Sequence, residues 1–577
     1  MSSKHFINDP THLVASALHS LTLTNPNVAL DADNKVIYRR PRHDVPAQVS
    51  ILSGGGSGHE PSFAAMVGPG MLSAAVAGTI FASPSAEQVR AGIESRVDHE
   101  RGALVVVMNY TGDVLNFGIA VEKARAAGVD VDMVVVGDDV GVGREKAGKV
   151  GRRGIAGTVL VLKIAGALAA RGASLQEVAK VARLTADNLV SVGASLEHVH
   201  VPGRAVDQEG GLAAGEVEIG MGIHNEAGSG RGKMDLPELV TKMLAQLLDP
   251  ADKDRAFVNV NSNEVVLLIN NLGGVSVLEM GGITSEVVSQ LGDRYSIKPV
   301  RILTGTYMTS LNGLGFSITL LNAVNTEIGG PGMIDLLDAP SEVPGWSAPI
   351  RKETWEAKNN AVRDGVSQIA QETKPSGLKM DVEGAKSALK NALERVIAAE
   401  PDITRYDTVV GDGDCGIGLK RGAEAVLKHI NEKSFTGDAV VDVASIVPVV
   451  ENTMDGTSGA LYAIFLNALV HALRGQSPGE TTPKVWAAAL KQSCDALSKY
   501  TPARPGDRTL VDALYPFVEV LGETGDVKKA AEAARKAADE TKGMKASLGR
   551  TVYVGGDLYE EVPDPGAWGL ATFFLGL

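Results

Sequence analysis

Short, mostly apolar runs alternate with helical patterns in the first part of the chain. Residues 49–52, 103–108 and 131–136 form such runs, which are typical of strands buried on both faces of a sheet. Between the last two runs, residues 115–127 carry apolar side chains at helical spacing and stop at Gly128. Strands that alternate with helices predict an α/β fold with a buried, largely parallel sheet.

A second set of the same kind follows along the chain. Its apolar runs lie at 264–269, 299–303 and 316–321. We therefore predict an α/β domain over residues 1–340, built from two subdomains of about 1–195 and 196–340.

The pattern breaks near residue 340. The stretches APSEVPGWSAP and ETKPSGLKMD are rich in Pro, Gly and Ser and flank a charged segment, which predicts a linker over residues 341–380. From about residue 381 the strand runs disappear, and long helical patterns dominate, as at 385–399, 485–500 and 527–541. These patterns predict a separate all-α domain over residues 381–577.

Composition narrows the class of protein. A chain of 577 residues is too long for one core, and 44% hydrophobic with 21% charged residues is an ordinary globular balance. The 55 Lys and Arg residues against 69 Asp and Glu residues give a net charge of −14. A surface of that sign repels nucleic acid and anionic membranes, so neither is expected as a partner.

The cysteines and the apolar runs indicate a compartment. Cys415 and Cys494 are too few for a disulfide framework, which fits a reducing environment. The first residues, MSSKHFINDPTH, show no apolar core of the signal-peptide type. No apolar run reaches the roughly 18 residues of a membrane-spanning helix. We therefore expect a cytoplasmic protein.

One short stretch of the predicted all-α domain gathers carboxylates and glycines. In DTVVGDGDCGIGLK, residues 407–420, Asp407, Asp412 and Asp414 lie among four glycines. On a helix, Asp412 would point away from the other two, and the glycines favour a tight turn instead. Such a turn can point three carboxylates at one hard cation.

Glycine-flanked segments of the α/β domain carry further candidate chemistry. SGGGSGHEP follows a strand. Its glycines and His59 either line a ligand-binding site or form a plain strand-to-helix connection. NYTGD ends the next strand, and Asp113 either accepts a proton or caps the helix that follows. His224, in EIGMGIHNEAG, is either a structural histidine or a nucleophile.

The all-α domain adds three polar turns. They are MDGTSGA at 454–460, RPGDRTL at 504–510 and VPDPGA at 562–567. Taken alone, each of them is an ordinary helix cap or turn. Beside the acidic turn, they indicate a nucleotide–metal site built at helix ends. No Walker A loop is expected, because GREKAGK at 143–149 has the spacing but Val150 stands where Ser or Thr must reach Mg²⁺.

Together these motifs resemble the single-chain ATP-dependent dihydroxyacetone kinases, also called triokinases. Nine of them occur in the family's order over nearly the whole chain: GGGSGHEP, NYTGD, RRGIAGTVLVLKIAGA, MGIHNEAG, NNLGGVS, GDGDCG, GTSGALY, GDRTL and DPGA. The resemblance implies an N-terminal α/β domain that holds the substrate and a C-terminal helical barrel that holds ATP. It also implies phosphoryl transfer from MgATP to dihydroxyacetone, and to glyceraldehyde.

The resemblance also implies roles for particular residues. His224 would form a covalent hemiaminal with the substrate carbonyl, and Asp113 with His59 would activate the hydroxyl. The substrate pocket would be lined by Gly56, Ser57, Gly58, His59 and Asp113. Mg²⁺ would be held by Asp407, Asp412 and Asp414. The nucleotide would be bordered by Asp414, Cys415, Gly416, Ile417, Gly456, Thr457, Ser458, Gly459, Thr501, Thr509, Leu510, Asp564, Pro565 and Gly566.

Three positions depart from the family's pattern. Met108 replaces the lysine that usually precedes NYTGD, which removes a hydrogen-bond donor from the expected pocket. Thr457 stands in the loop that often reads GGSSG but keeps a hydroxyl, and Leu510 replaces the methionine of GDRTM.

Other functions and an assembly follow from the same resemblance. A lyase that cleaves FAD, with Mn²⁺ as its metal, would use the same nucleotide site. A phosphoenolpyruvate-dependent relay normally uses separate chains, so this fusion argues against it. A non-catalytic sensor should lack the acidic triad or His224. Because ATP and substrate bind different domains, the family's architecture implies a homodimer that crosses its domains.

Overall fold

The computed structural model describes residues 5–42, 44–205, 211–363, 373–548 and 561–577. The chain divides into two compact units, residues 1–362 and 363–577. The first unit is α/β and the second is helical, as the sequence pattern predicts.

A mixed sheet forms the first half of the α/β unit. It has the order β1-β2-β4-β3-β5-β6. The four strands β4, β3, β5 and β6 run parallel, while β1 and β2 form an antiparallel edge. The runs at 103–108 and 131–136 are strands, as predicted. The strands are β1 (Val28–Asp31), β2 (Val36–Arg39), β3 (Ser50–Ser57), β4 (Ala74–Ile80), β5 (Ala103–Met108) and β6 (Val131–Val136).

A second sheet, mostly antiparallel, forms the other half of this unit. Its order is β11-β10-β12-β7-β8-β9, and β10 with β11 is its parallel pair. β12 is antiparallel to both neighbours because it follows β11 through a loop rather than through a crossover helix. The strands are β7 (Leu189–Ser195), β8 (Glu216–Ile219), β9 (Gly230–Lys233), β10 (Val265–Asn271), β11 (Arg301–Gly305) and β12 (Gly315–Asn322).

The predicted subdomain boundary near residue 195 needs a correction. β7 ends at Ser195 but pairs with β12, so the second sheet already begins at Leu189. The sequence pattern misses this because α6 leads directly into β7, and a βα alternation does not show to which sheet a strand belongs.

Helices cover the faces of both sheets. α5 is buried almost all round, because it packs against β3, α6 and α9. α3 starts at Thr111, earlier than the predicted start at 115. The helices are α1 (Pro10–Thr24), α2 (Ala86–Ser95), α3 (Thr111–Ala126), α4 (Arg144–Ala147), α5 (Thr158–Ala170), α6 (Leu175–Asp187), α7 (Leu236–Leu248), α8 (Val277–Tyr295), α9 (Met333–Leu337) and α10 (Lys352–Ala357), with a 3₁₀ turn at Ala64–Met66.

The first part of the predicted linker packs on the α/β unit. The Gly345 amide donates to the Ala65 carbonyl at 2.9 Å, and Trp346 contacts the ring of Tyr307. A Cβ at Gly70 would lie 2.3 Å from the Pro340 carbonyl oxygen, so this close approach requires glycine. The linker prediction over 341–380 is therefore too long at its start; residues 364–372 lie outside the described residues.

The second unit is a helical barrel. Each helix packs on the next, and α18 returns to α11, which closes the ring around an apolar cavity of about 650 Å³. The short strands β13 (Leu378–Lys379) and β14 (Gly479–Glu480) form a parallel pair that the sequence pattern did not predict. The helices are α11 (Val382–Val410), α12 (Cys415–Glu432), α13 (Ala439–Thr453), α14 (Gly456–Arg474), α15 (Pro483–Leu497), α16 (Val511–Thr524), α17 (Val527–Glu540) and α18 (Pro565–Phe574).

α14 is the one helix of the described residues that is long and apolar enough to cross a membrane, judged by length and composition alone. Its apolar side chains Leu461, Phe465 and Leu469 line the barrel cavity. The helix packs against α13 and α15, and 22% of its apolar window is buried.

Candidate active site

The glycine-rich end of β3 and the turn that follows it run close against neighbouring backbone. A Cβ at Gly54 would lie 2.2 Å from the Val76 carbonyl oxygen, and a Cβ at Gly56 would lie 2.7 Å from the Ala82 amide. The hydroxyl of Ser57 donates to the Gly78 carbonyl at 2.9 Å. Gly58 has φ +103°, a backbone conformation that favours glycine. The loop thus delivers His59 at a fixed position.

His59 is fully buried at the end of this loop. Its Nδ1 donates to the Thr309 carbonyl at 2.8 Å, and its ring stacks on Phe81 with centroids 5.3 Å apart. Burial, together with the charge on His224, lowers the pKa of His59 to about 3. Near neutral pH, His59 is therefore a neutral imidazole.

The structure brings His224 against His59, although 165 residues separate them. Their Nε2 atoms lie 3.0 Å apart, and the His224 Nδ1 lies 2.8 Å from Glu226 Oε1. Burial alone would raise the pKa of Glu226, but hydrogen bonds from the His224 ring and amide lower it to about 2. The ring of Tyr110 meets His224 edge-on, with centroids 4.8 Å apart.

Asp113 faces the same pocket from the first turn of α3. It is 6% exposed, and its carboxylate lies about 4 Å from a Cβ built on Gly55. It does not cap the helix, whose N-cap residue is Tyr110. Burial raises the pKa of Asp113, while a hydrogen bond from the Ser83 side chain and the charge of His224 oppose that shift.

Two buried polar atoms in this pocket have no hydrogen-bond partner within the described part of the chain. They are Asp113 Oδ1 and the Tyr110 hydroxyl. Buried polar groups are nearly always satisfied in folded proteins, so an acceptor and a donor left over beside two histidines indicate a polar ligand. Burial also raises the pKa of Tyr110 well above its usual value, which keeps the phenol as a donor.

Several residues of this pocket were not assigned roles from sequence. Tyr110 and Glu226 stand inside the motifs NYTGD and MGIHNEAG, so motif position could have found them. Phe81 and Thr309 carry no local signal, because they reach the pocket through tertiary packing. Met108, one of the three departures from the family's pattern, is 1% exposed and lies in the hydrophobic core.

In the helical unit, the acidic turn joins α11 to α12. Asp407 lies in the last turn of α11, and Asp414 is the N-cap residue of α12 without a side-chain capping bond. Ligand oxygens of Asp407, Asp412 and Asp414 lie within 4.8 Å of one another. Gly413 has φ +77°, which the tight turn requires.

The donor set of this turn fits a hard divalent cation. Three carboxylates this close repel one another unless a positive charge lies between them. Oxygen ligands at this density match Mg²⁺, which keeps part of its coordination for water or phosphate oxygens. The residues present therefore fit the magnesium that the motif implies.

The other predicted nucleotide residues lie at neighbouring helix ends. Cys415 Sγ is 4.0 Å from the Ser458 hydroxyl, so the start of α12 lies beside the start of α14. Burial, then the charges of Asp407 and Asp564, raise the pKa of Cys415 to about 12, so it is a neutral thiol. Asp564 caps α18 through the Ala567 amide at 2.8 Å, and burial raises the pKa of Asp564 to about 6.

The other predicted nucleotide residues differ in how closely they approach these helix ends. A Cβ at Gly566 would lie 3.5 Å from Leu510, so the DPGA and GDRTL turns are adjacent. The Thr509 amide donates to Asp512 at 2.8 Å, which holds the GDRTL turn. Ile417 is 54% exposed on the first turn of α12. The hydrogen bonds that the structure gives Thr501 stay within residues 501–504.

The remaining predicted positions lie in the first turns of the same helices. Gly416 is buried in α12, where a Cβ would lie 2.3 Å from the Thr404 hydroxyl. α14 begins at Gly456 and carries Thr457 and Gly459 in its first turn; its N-cap residue, Asp455, makes no side-chain capping bond. The first amides of α14 therefore offer a site for an anion.

Comparison with known proteins gives two family matches. Residues 19–345 match the Dak1 domain and residues 409–577 match the DAK2 domain. A dihydroxyacetone kinase of Pichia angusta is 44% identical, with 100% of this chain and 98% of that protein covered. The human triokinase/FMN cyclase is 36% identical, with 100% and 99% covered.

A solved structure has the same architecture over the full length. The dihydroxyacetone kinase from C. freundii in complex with AMP-PNP and Mg²⁺ is 32% identical and has a TM-score of 0.66. The alignment covers 100% of this chain and 99% of that one. Both the α/β and the helical unit are therefore shared with that protein.

Proposed function

The chain belongs to the dihydroxyacetone kinase family and transfers phosphate from ATP to dihydroxyacetone, and we propose that it holds the ketone as a covalent hemiaminal on His224. The observation that carries the proposal is the pocket where His224, His59, Asp113 and Tyr110 converge. It combines a ring nitrogen that can attack a carbonyl with two unsatisfied polar groups for substrate hydroxyls. Glyceraldehyde, which also has a carbonyl, is proposed as a second substrate.

In this proposal, Asp113 accepts the proton of the hydroxyl that is phosphorylated. Burial raises its pKa, and a carboxylate with a raised pKa is a better general base than one in water. His59 supports the same step through its Nε2, which lies 3.0 Å from His224 Nε2. The Tyr110 hydroxyl donates to a substrate oxygen, which fixes the three-carbon chain for in-line transfer.

Mg²⁺ bound to Asp407, Asp412 and Asp414 would neutralise the phosphate charges of ATP. The first-turn amides of α14, with the hydroxyls of Thr457 and Ser458, cradle phosphate. Most of the rate acceleration then comes from positioning the substrates and neutralising charge, because phosphoryl transfer requires little covalent chemistry from the protein.

We also propose a cytoplasmic homodimer that crosses its domains. The ketone-binding residues belong to the α/β unit and the ATP-binding residues to the helical unit. Transfer needs both substrates in one place, and a partner's helical unit can supply ATP to the ketone pocket.

Cutting the chain should separate the two binding activities. We expect residues 1–362 to fold and bind dihydroxyacetone and residues 373–577 to fold and bind MgATP, because each unit has its own core. Calorimetric titration checks each half. Neither half alone should form dihydroxyacetone phosphate, and ATP binding by the first half would contradict the assignment.

A flavin side activity is the second candidate, because relatives named triokinase/FMN cyclase are 35–36% identical over the whole chain. It would use the acidic turn and the nucleotide residues without the ketone pocket. We expect FAD cleavage that depends on Mn²⁺ and survives His224→Ala. Liquid chromatography of FAD incubated with Mn²⁺ checks this, and cleavage lost in His224→Ala would contradict a shared nucleotide site.

A further inference from the structure

Two bulky side chains beside His59 have a left-handed backbone. Eight non-glycine residues in the described part of the chain have a positive φ, and the apolar ones among them are Phe81 at +60° and Leu311 at +51°. A bulky residue rarely adopts this conformation, because its Cβ crowds the following carbonyl. Both side chains approach Gly58, where a built Cβ would lie 2.8 Å from the Phe81 ring and 3.3 Å from Leu311. Backbone strain of this kind clusters at functional sites.

Phe81 is the third residue of a tight turn at the end of β4. The Ala82 amide donates to the Thr79 carbonyl at 3.1 Å, and a Cβ at Gly78 would collide with the Ala82 carbonyl oxygen. A positive φ at the third position of such a turn normally selects glycine or asparagine. The Phe81 side chain is only partly buried, so packing in the core does not explain it. The phenyl ring therefore needs a reason outside the turn.

The Phe81 ring lies against both histidines of the pocket. It stacks on His59 with centroids 5.3 Å and planes 17° apart, and it meets His224 edge-on with centroids 5.1 Å apart. The two imidazoles face each other through their Nε2 atoms, which are 3.0 Å apart. The phenyl ring thus borders the space beside this pair of nitrogens, where a ketone carbon would bond to His224.

The glycine-rich end of β3 makes room for Phe81. Its amide donates to the Ser57 carbonyl at 2.9 Å, which holds the turn against this segment. A Cβ at Gly56 would lie 3.1 Å from the Phe81 Cα, and one at Gly58 would press on the ring. The glycines of the GGGSGH motif therefore allow the close approach of this one residue, and the approach fixes the ring in place.

The same short turn also reaches the candidate base. Ser83, two residues after Phe81, donates a side-chain hydrogen bond to Asp113. A Cβ at Gly112 would lie 2.7 Å from the Ser83 hydroxyl, so the turn lies directly against the start of α3. A ketone bound to His224 with its hydroxyl at Asp113 would therefore lie along residues 81–83.

We propose that Phe81 is a specificity-determining residue, whose ring closes the space beside His224 so that the pocket takes three-carbon hydroxycarbonyl compounds and rejects longer ones. The inference rests on the proposed binding of the carbonyl at His224 and adds a limit on chain length. Covalent attachment distinguishes a carbonyl from an alcohol, but it does not distinguish a short ketone from a long one. Leu311, whose amide donates to the Gly58 carbonyl at 2.7 Å, supports the same side of the pocket.

Replacing Phe81 by glycine tests the proposal, because glycine suits the turn and the change removes the ring alone. The probes are dihydroxyacetone and 1,3,4-trihydroxybutan-2-one, which is one carbon longer, and ADP release at saturating MgATP gives kcat/KM for each. The wild type should prefer dihydroxyacetone by at least about tenfold, the scale on which a fitted pocket discriminates one carbon. In Phe81→Gly this preference should fall by about tenfold, because the shorter ketone loses contacts and the longer one gains room.

Two further variants serve as controls. Ser296→Gly places glycine at another left-handed position, φ +56° at the C-terminal end of α8, and should leave both kcat/KM values unchanged. Phe81→Leu keeps part of the apolar bulk, so its preference should lie between those of the wild type and Phe81→Gly. MgATP affinity should be the same in all variants, since the nucleotide residues belong to the other unit.

The outcomes separate this inference from the function on which it rests. An unchanged preference in Phe81→Gly, whether or not turnover falls, would overturn the proposal, as would a wild type that uses both ketones equally well. The adduct on His224 is measured separately, by mass spectrometry of the intact wild-type chain. Its absence would remove the proposed hemiaminal, whereas the ratio of the two kcat/KM values would still report the effect of the Phe81 ring.

Discussion

Replacing Asp412 by asparagine should lower the turnover of ATP-dependent phosphorylation by about 100-fold or more. Mutating residues that only support metal ligands already costs about 10- to 100-fold in activity, and a ligand itself should cost at least as much. The substitution turns a charged ligand into a neutral amide at a site where three carboxylates lie within 4.8 Å of one another. A coupled assay of ADP release at ordinary Mg²⁺ measures the effect. Partial recovery at high Mg²⁺ is expected, because the remaining carboxylates still bind the cation.

The fold should be little affected by that change. Asp412 is exposed in the turn between α11 and α12. The matched control is Asp402→Asn, an exposed aspartate of α11 that pairs with Arg405 and should leave turnover unchanged. Near wild-type turnover of Asp412→Asn at ordinary Mg²⁺ would contradict the metal assignment.

Replacing His224 by alanine should abolish the covalent adduct and weaken dihydroxyacetone binding by roughly 100-fold, or about 2.8 kcal/mol at 1.4 kcal/mol per tenfold. Imidazole attack needs an electrophilic carbonyl, so this ring distinguishes a ketone from glycerol by chemistry rather than by shape. Mass spectrometry of the intact chain detects the adduct, and calorimetry measures the affinity.

MgATP binding should be unchanged in His224→Ala, since the acidic turn belongs to the other unit. His198→Ala is the matched control, because His198 pairs with Glu218 and not with His59. If His224→Ala kept full affinity for dihydroxyacetone and still excluded glycerol, His224 would be a packing histidine.

The sequence predicted the elements better than their pairing. β5 was recognised because a continuous apolar run is characteristic of a strand buried on both faces, and all of its residues are buried. β6 was recognised from its apolar run as well, although it lies at the sheet edge and exposes Val135. The antiparallel order of the second sheet was not predicted, because the direction of β12 depends on a loop rather than on a periodic pattern. β13 and β14 were missed because two-residue strands have no periodicity.

From the sequence, only those site residues that lie inside recognisable motifs could be predicted. His59 and His224 were recognised from motifs, but their 3.0 Å contact follows from packing of two sheets and has no local signal. Asp113 had two equal interpretations until the structure showed Tyr110 as the N-cap residue. The contact between Glu226 and the His224 ring, two residues away, is not revealed by spacing alone.

The most direct test of the account is ATP consumption by the full chain with dihydroxyacetone, glyceraldehyde and glycerol measured side by side at equal concentration. A pocket that holds its substrate through the carbonyl predicts Mg²⁺-dependent ADP release with dihydroxyacetone and glyceraldehyde and none above background with glycerol. Turnover of glycerol at a rate comparable to dihydroxyacetone would contradict covalent selection by His224. No turnover of dihydroxyacetone would contradict the kinase activity itself.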